Sequence, residues 1–549
     1  MIGRFHLLGL ILLCAATLGA TDHQHEHGSA TNSTPPPLFD NLGTHHHPIT
    51  TTSPQAQRYF DQGLRLIYAF NHDEATRAFK EAARLDPNCA MAYWGIAVSL
   101  GPNYNLAVDE GRDRAAYEAI QKALSLASQV SESERAYIEA IAKRHANTPN
   151  ADRKALDKAY ADMMREVARR YPDDLDAATL FAEALMNLRP WDLWTLDGQP
   201  QPGTPEIVST LESVLQRNPD HPGAIHYYIH TVEPSPTPER AEPFADRLAK
   251  LVPGAGHLVH MPSHIYMRTG RYNDAVVSNA RAAAVDAEYI EKYNIQGVYR
   301  MMYYPHNIHF RWSAASMEGR SVEALQVARE LMAKTPVEMV REMPPLEFMT
   351  PTFLFTLARF GKWDEILKEP APPEDLQYTT GIWYYVRGLA FVAKGQLDEA
   401  AKEQASVVAV AAALPPKKIL GDNTPADALL RIAASTLAGE IAARQDQTDE
   451  AIRHLEEAVR LQDELPYIEP PPWYYPVRQS LGAVLLSAAL PAEAEKVYRE
   501  DLKRNPENGW SLYGLAQSLR AQKADTAAVE QRFQKAWVRA DVKLTASRF

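Results

Sequence analysis

Cysteine is nearly absent: the chain has two in 549 residues, Cys14 and Cys89. If residues 1–20 are removed only Cys89 remains, so no internal disulfide can form and stability must come from packing. Long apolar runs are missing too. No segment approaches about 18 uninterrupted apolar residues, so none reads as a transmembrane helix. Basic charge is in deficit, with 57 Lys and Arg against 69 Asp and Glu for a net charge of -12, which argues against a binder of nucleic-acid phosphates. Nor is there a nucleophilic triad, a P-loop or a dinucleotide-binding fingerprint. What remains is the composition of a soluble protein, 46% apolar and 23% charged, at a length that calls for several domains or a repeat array.

Residues 1–20 read as a secretory signal, with Arg4, an apolar stretch over 7–13 and the exit Leu18-Gly19-Ala20. Export to a periplasmic or extracellular location is therefore expected. Leu13 is too large for the processing that would lipidate Cys14. Residues 21–53 are rich in His, Thr and Pro and are expected to be disordered. Cleavage after Ala20 would expose Thr21-Asp22-His23, whose amine, two amides and imidazole can enclose Cu(II) or Ni(II) in a square plane. His25, His27 and the run His45-His46-His47 add further imidazoles.

From Ala56 onward the chain repeats itself. Tyr59, Gly63, Ala75, Phe79, Ala82 and Pro87 fall at positions 4, 8, 20, 24, 27 and 32 of a unit of about 34 residues. Ala75, Phe79 and Ala82 share one helical face, and Asp86-Pro87 ends that helix. Pro219, Pro253, Pro336 and Pro506 recur at unit ends, and Gly270, Gly319, Gly361 and Gly395 at the turn between helices A and B. Ala275, Ala324, Ala400, Ala451, Ala494 and Ala528 take the small-residue position. This pattern resembles the tetratricopeptide repeat (TPR) and covers nearly all of residues 54–549. The resemblance implies an all-α, right-handed superhelical solenoid of about eleven helix pairs. Residues 54–340 would form an N-terminal array with a histidine-lined groove, and 341–549 a C-terminal array presenting aromatics such as Phe348, Phe355 and Tyr385. Insertions at 101–105, 190–205, 234–238 and 470–475 interrupt the repeat, the loop with Trp191 and Trp194 being a candidate lid.

Seven of the 18 histidines lie in three short clusters between His226 and His309. With units beginning at Pro222, Gly256 and Pro305, His226 and His230 take positions 5 and 9 of one A helix, and His260 and His264 those of the next. His306 and His309 take positions 2 and 5 of the third. In the repeat family these positions line the concave groove, as would those of Glu233 and Glu183. Residues four apart on a helix are neighbours, and packed helices lie about 8–10 Å apart. His226, His230, His260, His264, His309 and His306 are therefore candidate metal ligands, with Glu233 or Glu183 as further ligand or base. Pro262 disfavours a helix running through His260, which weakens that residue's place on the stripe, and His257 and His306 read as peripheral.

The expectation is one or two transition-metal ions in the groove, copper slightly before zinc or iron because of Met261, Met267 and the His-rich tail. They would serve hydrolysis or oxidation of a small molecule. The alternative is a non-catalytic TPR scaffold that holds a peptide or protein partner. His72 reads as structural and Cys89 as a core residue, while Arg268, Arg311, Tyr303 and Tyr304 are the nearest groups to hold an anion or give a proton.

Overall fold

The computed structural model describes residues 35–148, 151–421 and 423–549. The secretory-signal reading and the Thr21-Asp22-His23, His25 and His27 sites lie outside the described residues.

Small residues at fixed spacing set the architecture. Ala75, Ala275, Ala324, Ala400, Ala451 and Ala494 are fully buried, where each lets the two helices of a pair approach closely. Pro54–Tyr68 packs on His72–Leu85, Gln377–Ala393 on Leu397–Ala413, and Ala426–Arg444 on Thr448–Asp463. Stacking of such pairs in chain order makes an all-α, TPR-like solenoid. Among the described residues the only paired strands are Ile419–Leu420 and Thr424–Pro425. The tight A–B turns require a left-handed residue, and Gly270, Gly319, Gly361 and Gly395 supply it at φ of 79°, 69°, 65° and 73°. Ala528 departs from the expected register: it is exposed, and Val529 takes the inward position.

The superhelix closes on itself, so the groove is filled rather than open. The Pro54–Tyr68 helix meets Pro222–Val232, and Asn71 donates to the Tyr289 hydroxyl at 3.1 Å. From the other end, Arg268 donates to the Arg504 carbonyl at 3.1 Å, Tyr272 to that of Pro506 at 2.9 Å, and Trp510 to that of Ser316 at 3.1 Å. The buried apolar residues form two clusters that adjoin around residues 265–304. The histidines lie on this seam.

Residues 38–53, expected to be disordered, run as an extended strap whose polar backbone is answered by helix side chains. Phe39 N–H donates to Gln62 at 2.8 Å, Thr50 N–H to Glu134 at 2.6 Å, and Arg65 and Gln57 donate to the carbonyls of His45 and His47 at 2.6 and 2.8 Å. Composition alone does not reveal these partners, which come from distant helices. Among the described residues no helix is long and apolar enough to cross a membrane.

Candidate metal centre

Three helical segments carry the cluster. His226 and His230 stand one turn apart on Pro222–Val232. His257 and His260 lie on Gly256–His260, and His264 on Pro262–Thr269. Pro262 does not eject His260 from the helical path, because Met261 keeps right-handed helical dihedrals (φ -51°, ψ -35°) and joins the two segments. Carbonyls near the break are taken by hydroxyls, Ser263 donating to His260 O at 2.7 Å and Ser278 to Val259 O at 2.5 Å. His306 lies in the first turn of Tyr304–Met317.

The rings gather into two adjoining triads, His226/His230/His257 and His260/His264/His306. Within them His226 Nε2 is 3.1 Å from His257 Nε2, and His260 Nε2 is 2.8 Å from His264 Nε2. Two nitrogens bound at about 2.0 Å to one tetrahedral ion would stand about 3.3 Å apart. Between triads the ring centroids of His230 and His264 are 5.3 Å apart, and those of His257 and His260 are 5.6 Å apart. His226, His230, His257, His260 and His264 are at most 2% exposed, and His306 is half-buried.

Outer partners settle the tautomers. His226 Nδ1 donates to the Tyr68 carbonyl at 2.7 Å, an atom that can only accept. His230 Nδ1 donates to Glu233 Oε1 at 2.8 Å, and His264 Nδ1 to Glu233 Oε2. His260 Nδ1 donates to Asn279 Oδ1 at 2.6 Å, the amide being oriented by its own donation to Ala275 O at 2.8 Å. In all four rings the neutral form therefore carries its lone pair on Nε2. For His260 and His264 this sets lone pair against lone pair at 2.8 Å, an arrangement that needs a shared cation, proton or metal. His230 Nε2 and His257 Nδ1 are buried without a hydrogen-bond partner.

Electrostatics keep most of the set neutral, as ligation requires. Burial, reinforced by neighbouring imidazoles, holds His226, His257, His260 and His306 well below the usual histidine range. Burial also lowers His230. Burial opposes the charged form of His264 as well, but the Glu233 carboxylate outweighs it and raises that ring. Burial would likewise raise Glu233, yet the charge of His264 and the two imidazole hydrogen bonds bring it to about 2. Each Glu233 oxygen is thus engaged by one Nδ1–H and orients one ring of each triad, and Glu233 with His230 and His264 also forms a group close enough to hold a metal ion.

Each triad is faced by one phenylalanine. Phe70, left-handed at φ 55°, puts its ring 4.4 Å from His226, 5.5 Å from His257 and 5.9 Å from His230. Phe310 lies 4.7, 4.6 and 4.9 Å from His260, His264 and His306. The inserted loops close the His230 side: Trp191 is 5.7 Å and Tyr104 5.5 Å from its ring, while Trp194 donates to Thr231 O at 2.7 Å.

Several expectations change. His257, taken as peripheral, completes the first triad, and His306 completes the second. His309 joins neither; it stacks on Trp312 at 5.4 Å beside Tyr474, and burial lowers it to about 3. Glu183 stands apart from the triads, bonded to the Asn187 amide and sensing the buried Arg144. The C-terminal array, read as scaffold, reaches the centre through Tyr467, which bonds both Glu233 (3.4 Å) and Glu469. Burial, then the Glu233 charge, pushes Glu469 up to about 8, which makes it a candidate proton donor 3.9 Å from His264. No local spacing in the sequence announces Tyr467 or Glu469, because the residues they meet at the centre, Glu233 and His264, are more than 200 residues away.

A second cluster surrounds Asp176 beside a cavity of about 710 Å³. His45 Nε2 and His47 Nδ1 lie 2.9 Å from its two oxygens, and Tyr68 donates to it at 2.5 Å. His221 Nε2 is 3.2 Å away. But His221 Nδ1 accepts the Ala224 N–H at 3.2 Å, capping its helix. Its hydrogen must then sit on Nε2, so this ring is set to donate to a carboxylate rather than to ligate. We read the cluster as the clasp of the strap.

No protein-family model matches the chain, and no curated protein matches it. Among solved structures it is similar to a human IFIT1 dimer with m7Gppp-AAAA, at 12% identity, 90% of this chain, 92% of that chain and a TM-score of 0.34. It is similar also to the APC/C hetero-tetramer Cut9-Hcn1 (12% identity, 88% of this chain, 76% of that chain, TM-score 0.33). For yeast Tom70 the identity is 11%, the coverage 89% and 92%, and the TM-score 0.27. At these scores the likenesses carry no inference about ligand or activity. What the chain itself presents is a TPR-like solenoid with histidine clusters suited to chelating a transition metal.

Proposed function

We propose that this protein binds two transition-metal ions, one in each imidazole triad, at the closed centre of its solenoid, and that the pair serves a hydrolytic or oxidative reaction. The observation that carries this reading is the tautomer pattern: four Nδ1 hydrogens are given to Tyr68, Glu233 and Asn279, leaving Nε2 lone pairs directed inward. The facing Nε2 atoms of His260 and His264 call for a shared cation, and a metal ion is the occupant we propose. The donor set is imidazole with one carboxylate beside it, which copper, zinc and iron all accept; copper is the ion we propose first. Filling of the groove by the chain itself supports a metal at this point over a peptide. The apolar run at residues 7–13 would place the protein outside the cytoplasm.

Elemental analysis of protein purified without an oligohistidine tag tests the proposal. About two equivalents of metal per chain are expected after copper loading and desalting. Less than a tenth of an equivalent, unchanged by the double substitution His230→Ala and His264→Ala, would end it.

A further inference from the structure

We infer that a cavity in the C-terminal array binds a small organic carboxylate, whose two oxygens take the side-on fork of Arg359 and whose body lies on an aromatic wall. The cavity shares no lining residue with the histidine triads, so the inference goes beyond the metal reading and does not depend on it.

The helices Thr352–Arg359, Gln377–Ala393, Ala426–Arg444 and Val477–Ser487 all contribute to this cavity of about 480 Å³. That volume suits a small organic molecule. Arg359 lines it and is only 6% exposed. Its guanidinium carbon lies 3.6 Å from the ring centre of Trp510 and 4.6 Å from that of Tyr475, and Nη1 donates to Gln479 Oε1 at 2.6 Å. These contacts fix the plane of the group. The other two nitrogens, Nε and Nη2, are buried without an acceptor. They form the side-on edge of the guanidinium, whose parallel N–H bonds match the two oxygens of a carboxylate.

The protein supplies no such carboxylate. Gln479 stands between Arg359 and Asp501, whose oxygens are taken by Ser511 at 2.5 Å, Asn505 at 3.0 Å and Asn508 at 3.2 Å. Glu440, the buried carboxylate of the cavity, is held by Arg548 at 2.7 Å. Burial pushes Arg359 down to about 9, which leaves it charged at neutral pH. A buried cation without an anion is costly, and a ligand that brings the anion relieves the cost.

The wall argues for an organic anion over a bare inorganic one. The rings of Phe355, Tyr385 and Trp473 line the cavity and meet one another at 6.4, 5.5 and 5.5 Å, a surface that an apolar or aromatic body covers. Thr436 Oγ1 and Arg548 Nε belong to residues of the same cavity and are also buried without a partner, so they can bond a second polar group of the ligand.

The test is isothermal titration calorimetry of the full chain with benzoate, phenylacetate and 3-phenylpropanoate, each set against its neutral amide. At least one acid should bind saturably and about tenfold or more tighter than its amide, because only the acid pairs with the charged fork. Inorganic phosphate should bind more weakly than that acid, since it leaves the aromatic wall uncovered. Arg359→Gln should weaken the acid about tenfold or more and leave the amide unchanged. Arg359→Lys, which keeps the charge and loses the fork, should fall between. Circular dichroism checks that each variant is folded; should Arg359→Gln fail to fold, the comparison of acid with amide on the wild-type chain decides alone. Saturable binding by none of the three acids, equal binding of acid and amide, phosphate binding as tight as the acid, or acid binding that survives in folded Arg359→Gln would each overturn the inference.

Discussion

Substitution of Glu233 by Gln tests the logic of the centre with a change of one atom. Glu233 is fully buried and takes the Nδ1 hydrogen of His230 on one oxygen and that of His264 on the other. Gln keeps one acceptor and presents an amide N–H₂ to the other ring. That ring then faces donor with donor, and relieves the clash by moving its hydrogen to Nε2, where the metal should bind. One triad thus loses a ligand while the second retains its set. Loss of such an outer partner weakens metal binding about 10–100-fold, or about 1.4–2.8 kcal/mol. Competition against a chelator of known affinity reads the effect: wild type should release two ions over a narrow range, and Glu233→Gln one of them at least tenfold more readily. Glu233→Ala, which leaves both hydrogens without an acceptor, should weaken both. If Glu233→Gln is folded by circular dichroism and holds both ions as the wild type does, then Glu233 does not orient the rings and the tautomer argument fails.

Other predictions concern the same elements. Copper stoichiometry should fall in His257→Ala and stay at the wild-type value in His309→Phe, since the second ring sits in an aromatic box outside both triads; the reverse order would restore the groove-stripe reading. Phe70→Ala should destabilise by about 3–5 kcal/mol through loss of a buried ring. Phe70→Gly should be less damaging by about 1 kcal/mol because a left-handed φ of 55° costs glycine nothing; chemical denaturation measures both. The strap clasp should depend on pH. At His47 burial favours the neutral ring, but the Asp176 hydrogen bond and charge raise its pKa, so its contribution is full below about pH 6.5 and is lost as pH climbs through the raised value. At Asp176 burial favours the protonated acid, but the charge of His45 and the imidazole hydrogen bonds hold it well below the carboxylate range. Its contribution is therefore full above about pH 3.8 and fades only in stronger acid. Limited proteolysis within residues 38–53 should accordingly be slowest between about pH 4 and 6.5 and accelerate above neutrality. A flat profile would show that these imidazoles do not hold the strap.

Local spacing determined much of this protein. The 34-residue recurrence of Ala, Gly and Pro specified paired helices and the position of each turn, because side-chain direction along a helix follows from spacing alone. It also put His226 with His230, and His260 with His264, on common faces. Tertiary structure decided the rest. Whether the superhelix stays open or closes depends on small rotations summed over many repeats and on where the insertions pack, and neither is written in any one unit. Closure brought Phe70, Tyr467 and Glu469 to the histidines and turned a groove into a buried seam. The π-helical turn Tyr299–Tyr303 ahead of Tyr304–Met317 lies between the third unit and its predecessor. His306 and not His309 completes the second triad, a choice that a position count starting at Pro305 does not make. The outer partners of the rings, Tyr68 and Asn279 among them, come from other helices, one of them 158 residues away. The sequence therefore determined which residues could ligate, and the closed packing decided which of them meet.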